Sequence, residues 1–234
     1  MFVTKWGTEG SGDGQFDQPY DVAVAPDGSV YVTDFGNHRI QKFTPAGVFV
    51  TKWGGKRGSG DGQFTFPRGV SVAPDGSVYV VDRSDRGRDF RIQKFTPAGV
   101  FFTNWWRQGK FFSLEGIEVA PDGSVYVAEP EQNRIAKFTS EGVLVTKWRG
   151  VRDAHGGNRY DVAVAPDGSV YVTDSDYHLI QKFTSDGVFV TNWGTEGSGD
   201  GQLKYPAGVA VAPDGSVYVV DAGNHRIKKF TVGP

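Results

Sequence analysis

The chain of 234 residues contains no cysteine. Disulfides, thiolate metal sites and cysteine nucleophiles are therefore excluded, and no redox compartment is favoured. Apolar runs of membrane-spanning length are missing, and the opening MFVTKWG lacks the hydrophobic segment of a signal peptide. A soluble chain with no membrane partner is expected. An excess of one charge is missing too, since 25 Lys and Arg stand against 27 Asp and Glu, a net of −2. The molecule as a whole is not built to seek polyanions, although a local patch can be. Stretches of helical periodicity are absent, which argues against βαβ units and helical solenoids. Glycine, by contrast, is abundant at 33 residues, and aromatic side chains reach 14%. That mixture suits many short strands joined by tight turns.

Those strands repeat. The phrase PDGSVYV begins at Pro26, Pro74, Pro121, Pro166 and Pro213, spaced by 48, 47, 45 and 47 residues. A period of that length is that of one propeller blade. In the first unit, Asp21 to Ala25, Val30 to Asp34, Arg39 to Thr44 and Val48 to Trp53 are four β-branched or aromatic runs separated by Gly, Pro and Asp turns. Four antiparallel strands with two apolar faces need a neighbour on each side, and radial stacking supplies one. The chain opens with Phe2 to Trp6, which matches a fourth strand, and closes with Arg226 to Thr231, which matches a third. The expected fold is all-β, a five-bladed β-propeller with four antiparallel strands per blade, in which the N-terminal strand completes the last blade. One domain of residues 1–234 is expected, a monomer with blades near 20–67, 68–114, 115–159, 160–206, and 207–234 plus 1–19.

The segments DVAVAPDGSVYVTDFGNHRIQKF and GSGDGQF resemble NHL repeats, the blades of propellers in bacterial sensor domains and tripartite-motif RNA regulators. Asn37-His38-Arg39-Ile40 and Asn224-His225-Arg226-Ile227 stand where the triplet that names the family sits. The resemblance covers essentially the whole chain. It implies a propeller that binds a protein or peptide, with RNA as an alternative. Propellers of this family usually have six blades, and five are counted here. The PDGSVYV phrase is identical in all five units, which suits recent amplification or an engineered repeat scaffold without a ligand.

The units differ from one another mainly in the loops between strands two and three and in the links between blades, and such variation on a fixed scaffold is where binding sites are sought. Each unit has an acidic residue at the end of its second strand: Asp34, Asp82, Glu129, Asp174 and Asp221. The favoured reading is structural, a carboxylate bonding loop N–H groups and pairing with Arg39, Arg91, Arg134 or Arg226. In the fourth unit Leu179 replaces the arginine, leaving Asp174, Asp176 and His178 as a possible ligand niche. Glu118, placed where other units have Ala or Ser, is a second candidate, either facing a channel or paired with an arginine. The recurring Trp6, Trp53, Trp105, Trp148 and Trp193 read as inter-blade packing. Trp106 and Phe111 belong to an irregular link and read as a recognition surface or a local plug.

One arc of the variable loops is basic, comprising Lys56, Arg57, Arg68, Arg83, Arg86, Arg88 and Arg91, followed by Arg107, Lys110, Arg149, Arg152 and Arg159. Phe64, Phe66, Phe90 and Tyr160 are interleaved with it. Basic and aromatic residues together suit an acidic protein segment or single-stranded nucleic acid, and a solvated rim is the plainer alternative. From this set, Arg83, Arg86, Arg88, Trp106, Lys110, Phe111, Arg149 and Arg152 are the candidate partner-binding residues. Neither a nucleophile elbow nor an axial set of metal ligands is recognisable, so no catalysis, cofactor or metal is expected.

Overall fold

The computed structural model describes residues 3–83, 90–105, 113–150 and 161–231. It divides into two compact units, 1–111 and 112–234. The first holds two sheets. Blade 1 is β1 (Pro19–Val24), β2 (Val30–Asp34), β3 (Arg39–Phe43) and β4 (Phe49–Gly54), and blade 2 is β5 (Pro67–Val72), β6 (Val78–Arg83), β7 (Phe90–Phe95) and β8 (Phe101–Trp105). The second unit holds three. Blade 3 is β9 (Ile117–Val119), β10 (Val125–Glu129), β11 (Arg134–Phe138) and β12 (Leu144–Arg149). Blade 4 is β13 (Val162–Val164), β14 (Val170–Asp174), β15 (Leu179–Phe183) and β16 (Phe189–Trp193). Blade 5 is β17 (Pro206–Val211), β18 (Ser216–Asp221) and β19 (Arg226–Thr231). All pairings are antiparallel meanders, and the protein is all-β with the five blades of a propeller fold.

One expectation is corrected. The last sheet has three strands, β17, β18 and β19, and the described residues Val3 to Trp6 lie in no strand. In blades 1 to 4 a tight turn delivers the fourth strand straight after the third, and β19 has no such successor among the described residues. Tyr218 shows the consequence. Its counterparts Tyr31, Tyr79, Tyr126 and Tyr171 pack against the tryptophan of their own fourth strand and are at most 3% exposed, whereas Tyr218 is 37% exposed.

The blades within each unit are joined by a repeated aromatic lock. Trp53 at the end of β4 packs against Phe95 of blade 2, with centroids 5.7 Å apart, and lies under Gly99. Trp148 meets Phe183 and Gly187 of blade 4 in the same way. Trp6 meets Phe43 and Gly47 of blade 1. It therefore takes the place that a preceding blade's fourth-strand tryptophan takes on the following blade, without belonging to a strand. The glycine is required twice over. Gly99 has φ of +81°, and a Cβ there would lie 2.4 Å from Trp53. Two of the tyrosine hydroxyls reach the next blade as well, Tyr31 donating to the Pro97 carbonyl and Tyr126 to that of Ser185. Around these contacts, Tyr31 and Ile40 of blade 1 share one core with Phe64, Val70, Val80 and Phe95 of blade 2. Ala163, Tyr171 and Ile180 of blade 4 share another with Leu203, Val209, Val217 and Val219 of blade 5.

A carboxylate adds a polar stitch along the innermost strands. Asp21 accepts hydrogen bonds from its own blade at Val22 N (2.8 Å) and from blade 2 at Val70 N (2.9 Å). Asp161 does the same with Val162 N and Val209 N of blade 5. Desolvation by the surrounding protein outweighs these donors at Asp21 and pushes its pKa up to about 6.

Two predictions follow from this packing. Gly99→Ala introduces both strained φ and a clash with Trp53 and lowers unfolding free energy by about 2–4 kcal/mol in urea titration. Gly55→Ala, with φ of +84° and open space around it, costs only about 1–2 kcal/mol; equal losses would show that the lock is not tight. Because the Asp21 pKa is raised, its contribution to stability is complete below about pH 4 and is lost as pH rises through 6. The stability of the wild type relative to Asp21→Asn should therefore fall between pH 4.5 and 7, and a difference independent of pH would contradict the assignment.

Candidate functional site

The loop end of the blades is organised by the acidic residue that closes each second strand. Asp34 is fully buried and accepts from Asp17 N, Asn37 Nδ2, Gln41 Nε2 and Arg39 Nε, the last at 2.7 Å. The far end of the Arg39 guanidinium donates to the carbonyls of Ser11, Gly12 and Gln15 in the glycine-rich link. Blade 2 repeats this clamp. Asp82 accepts from Thr65 N, Phe66 N and Arg91, and Arg91 donates to the carbonyls of Ser59 and Gln63. In blade 5, Asp221 binds Lys204 N, Asn224 and Arg226, while Lys228 takes up the carbonyls of Gly199 and Gln202.

Burial disfavours ionisation at Asp82 and pushes its pKa to about 6 despite Arg91, so it is still ionised at neutral pH. Burial also opposes ionisation at Asp221, but the Lys204 N–H, Asn224 and Arg226 hold that carboxyl below the ordinary range. Blades 1, 2 and 5 are the ones entered by an SGDGQ link, and in all three the arginine supports that link. Blade 3 keeps the pair Glu129–Arg134 (2.7 Å). In blade 4, Asp174 is served by Tyr177 N and Gln181 Nε2, and desolvation raises its pKa.

The turn after the carboxylate explains the histidines. His38, His178 and His225, with Asn133 in blade 3, occupy the left-handed region at φ between +47° and +57°, where Asn and His are enriched. His178 Nδ1 accepts from Tyr205 N at 3.0 Å, and its ring stands edge-on to Tyr205. His178 is thus engaged by the link, while Asp174 is engaged by its own loop. Asp176 Oδ2 is buried with no hydrogen-bond partner among the described residues. Among those residues, no group of three His, Asp or Glu could hold a metal ion.

On this frame, blades 1 and 2 assemble a ladder of side chains. Phe35 follows the clamp carboxylate Asp34, Tyr20 lies on β1 beside the Pro19↔Asp34 pairing, and Phe66 is fixed through its N–H to Asp82. Phe35 stacks on Phe66 with centroids 4.9 Å apart and on Tyr20 at 5.8 Å, both inclined by 24°. Arg57 lies 5.2 Å over Phe66, and Arg68 lies 5.9 Å from Tyr20 and 5.3 Å from Phe90. The His38 ring meets Phe66 edge-on. Arg57 and Tyr20 are exposed, and Phe35, Phe66 and Arg68 are partly so.

Of the basic arc, Arg57, Arg68, Phe66 and Phe90 are therefore brought together. Three of its members are corrected: Arg91 is buried in the clamp, Phe64 is in the core at 0% exposure and Phe90 is buried on β7 at 6%. Arg83 ends β6, opposite Phe90. Arg149 ends β12 on blade 3, exposed beside a hollow of about 660 Å³ with Arg134 and Lys147 on its wall. Glu118 sits on β9 opposite Tyr126, partly buried. Arg86, Arg88, Trp106, Lys110, Phe111 and Arg152 lie outside the described residues.

The NHL repeat family model matches residues 16–43, 64–95, 161–183 and 203–230, in blades 1, 2, 4 and 5. The chain is an NHL-repeat protein. Over 47 residues, 19% of the chain, it is 53% identical to the peptidylglycine alpha-amidating monooxygenase of Rattus norvegicus and 51% to that of Mus musculus, and the match spans only 5% of either enzyme. Among solved structures, virginiamycin B lyase from Staphylococcus aureus aligns with a TM-score of 0.63 at 16% identity, over 92% of this chain and 70% of that one. A streptogramin B lyase aligns at 0.61 and 19%, over 89% and 77%. At these identities the likeness is one of fold.

The clamp generates its own prediction. Arg39→Ala leaves Asp34 buried without its cation and should cost about 3–5 kcal/mol in urea unfolding. A loss below 1 kcal/mol would show the pair to be incidental.

Proposed function

We propose that this NHL-repeat protein is a non-catalytic binding propeller that holds a protein partner at the loop end of blades 1 and 2. The observation that carries this reading is the ladder of Arg57, Phe66, Phe35, Tyr20 and Arg68. It places aromatic and guanidinium groups, the residue types that dominate interface hot spots, on a part of the repeat where the blades differ. The clamps beneath it hold Phe66 and the links by several hydrogen bonds, so little ordering would be needed on binding. The non-catalytic part of the proposal draws support from the described histidines, which serve as left-handed turn residues.

The test is affinity capture from extracts of the producing cell with wild type, Arg57→Ala/Phe66→Ala and the blade 3 control Lys147→Ala. Protein partners should be lost with the ladder variant and kept with the control. Capture indifferent to the ladder would remove the reading. Because a lyase structure aligned with this fold was solved with quinupristin, incubation with quinupristin supplies the second arm. The compound should remain intact, and its cleavage would overturn the non-catalytic assignment.

A further inference from the structure

We infer that the chain associates head to tail with a second copy of itself, in place of the monomer expected from its sequence. The open edge of blade 5 in one copy takes Val3 to Trp6 and the blade 1 face of the next. Two faces of the fold lack the neighbour that their counterparts have. On blade 5, Ile227 is 62% exposed, whereas Ile40, Ile92, Ile135 and Ile180 at the same place in blades 1 to 4 are at most 2% exposed. Tyr218 and Val220 lie beside it and are exposed as well. On blade 1, Val22 is 59% exposed, whereas its counterparts Val70, Ile117, Val162 and Val209 are at most 9% exposed. The junctions inside each unit show that two such faces fit one another. Tyr31 and Ile40 of blade 1 share a core with Val70 of blade 2, and Tyr171 and Ile180 of blade 4 share one with Val209 of blade 5. Because Ile227 and Val22 are both exposed in the single chain, the neighbour that covers them comes from a second copy.

Blade 1 is the template for the seat. Phe2 to Trp6 repeats the FVTKW of Phe49 to Trp53, and the link GTEGSGDGQ is the same at residues 7–15 and 194–202. Blade 5 thus has the link of blade 1 and a nearly identical third strand, and that strand's outer edge is unpaired among the described residues. An unpaired edge is a template for an added strand. In blade 1, Trp53 pairs with Ile40 and Lys52 with Gln41, and Lys52 Nζ reaches the Asp13 carboxylate of the link at 2.6 Å. Asn104 makes the equivalent contact with Asp61 in blade 2. Carried over to blade 5, Trp6 of the second copy pairs with Ile227 and covers Tyr218, and Lys5 reaches Asp200. Lys5 and Asp200 are both exposed, and neither is engaged among the described residues. Lys228 stands where blade 1 has Gln41 and so faces Lys5, but its Nζ is drawn to the carbonyls of Gly199 and Gln202, and Asp200 offsets the charge of Lys5. Trp6 keeps its lock on Phe43 and Gly47 of its own blade 1, just as Trp53 pairs with Ile40 while its ring packs on Phe95. Blade 1 of the second copy then follows blade 5 of the first, a heterologous contact between two different faces.

The experiment is light scattering on the full chain between about 1 and 100 μM, the range over which a contact of micromolar affinity changes its occupancy. The mean mass should rise above that of a single chain as concentration rises. Ile227→Lys, at an exposed position, should abolish the rise while leaving the melting temperature in dilute solution unchanged. Lys5→Asp and Asp200→Lys should each weaken association by about fivefold, because each sets like charges against one another. Mixing those two variants should restore it, because every junction between unlike copies then pairs opposite charges. The ladder variant Arg57→Ala/Phe66→Ala should associate like the wild type, which keeps this contact separate from the binding role proposed above. A single-chain mass throughout the range, association indifferent to Ile227→Lys, or a mixture that associates no more strongly than either variant alone would overturn the inference.

Discussion

The buried carboxylate–guanidinium clamp is the constraint on which the loop end of this protein depends. A glycine-rich link has little apolar surface. It makes a few backbone bonds of its own, such as Gly10 N–H to the Phe16 carbonyl, but its remaining backbone groups must find partners elsewhere. Asp34 and Arg39, Asp82 and Arg91, and Asp221 with Arg226 and Lys228 supply them, the carboxylate taking N–H groups and the cation taking carbonyls. A buried ion pair is a poor source of net stability by itself, because desolvation offsets much of the Coulomb attraction. Its value here is positional: it fixes Phe66 and the chain around Tyr20 and Phe35 closely enough for rings from two blades to stack.

The tryptophan lock acts at the other end of the same blades and by different physics. There the contact is apolar and depends on a missing side chain, since Gly47, Gly99 and Gly187 each lie within 2.6 Å of the tryptophan ring measured from a hypothetical Cβ. The lock explains why the turns between strands three and four vary so little. The clamp explains why the links divide into two kinds, those that come with an arginine support and those that do not.

Most of the blade was legible in the sequence. Val30 to Asp34 is β2 as read, and Arg39 to Thr44 overruns β3 by one residue, because alternating β-branched residues between Asp-Gly and Pro-Gly turns leave few alternatives. The acidic position and its arginine partner were legible for the same reason, as a fixed spacing repeated between units. The ladder was only half legible. Arg57, Arg68, Phe66 and Phe90 stood out by composition, but Tyr20 and Phe35 did not, because they meet through the folding of β1 beside β2 and reach Phe66 only when blade 2 lies alongside. Arg91, Phe64 and Phe90 were misplaced in the arc, since composition does not tell a buried side chain from a solvated one. The pairing expected of Phe2 to Trp6 was half right in physical terms: Trp6 packs on blade 1 like any fourth-strand tryptophan, yet its backbone forms no strand.

Amide hydrogen exchange on the native protein tests the central claim most directly. The N–H groups of Asp17, Thr65, Phe66 and Lys204 bond a clamp carboxylate and no strand neighbour. If the clamps hold the links, these four amides exchange as slowly as the core amides of β2 and β6, opening only with their blade. Exchange at the rate of exposed loops would contradict the account, and would leave the ladder without a foundation.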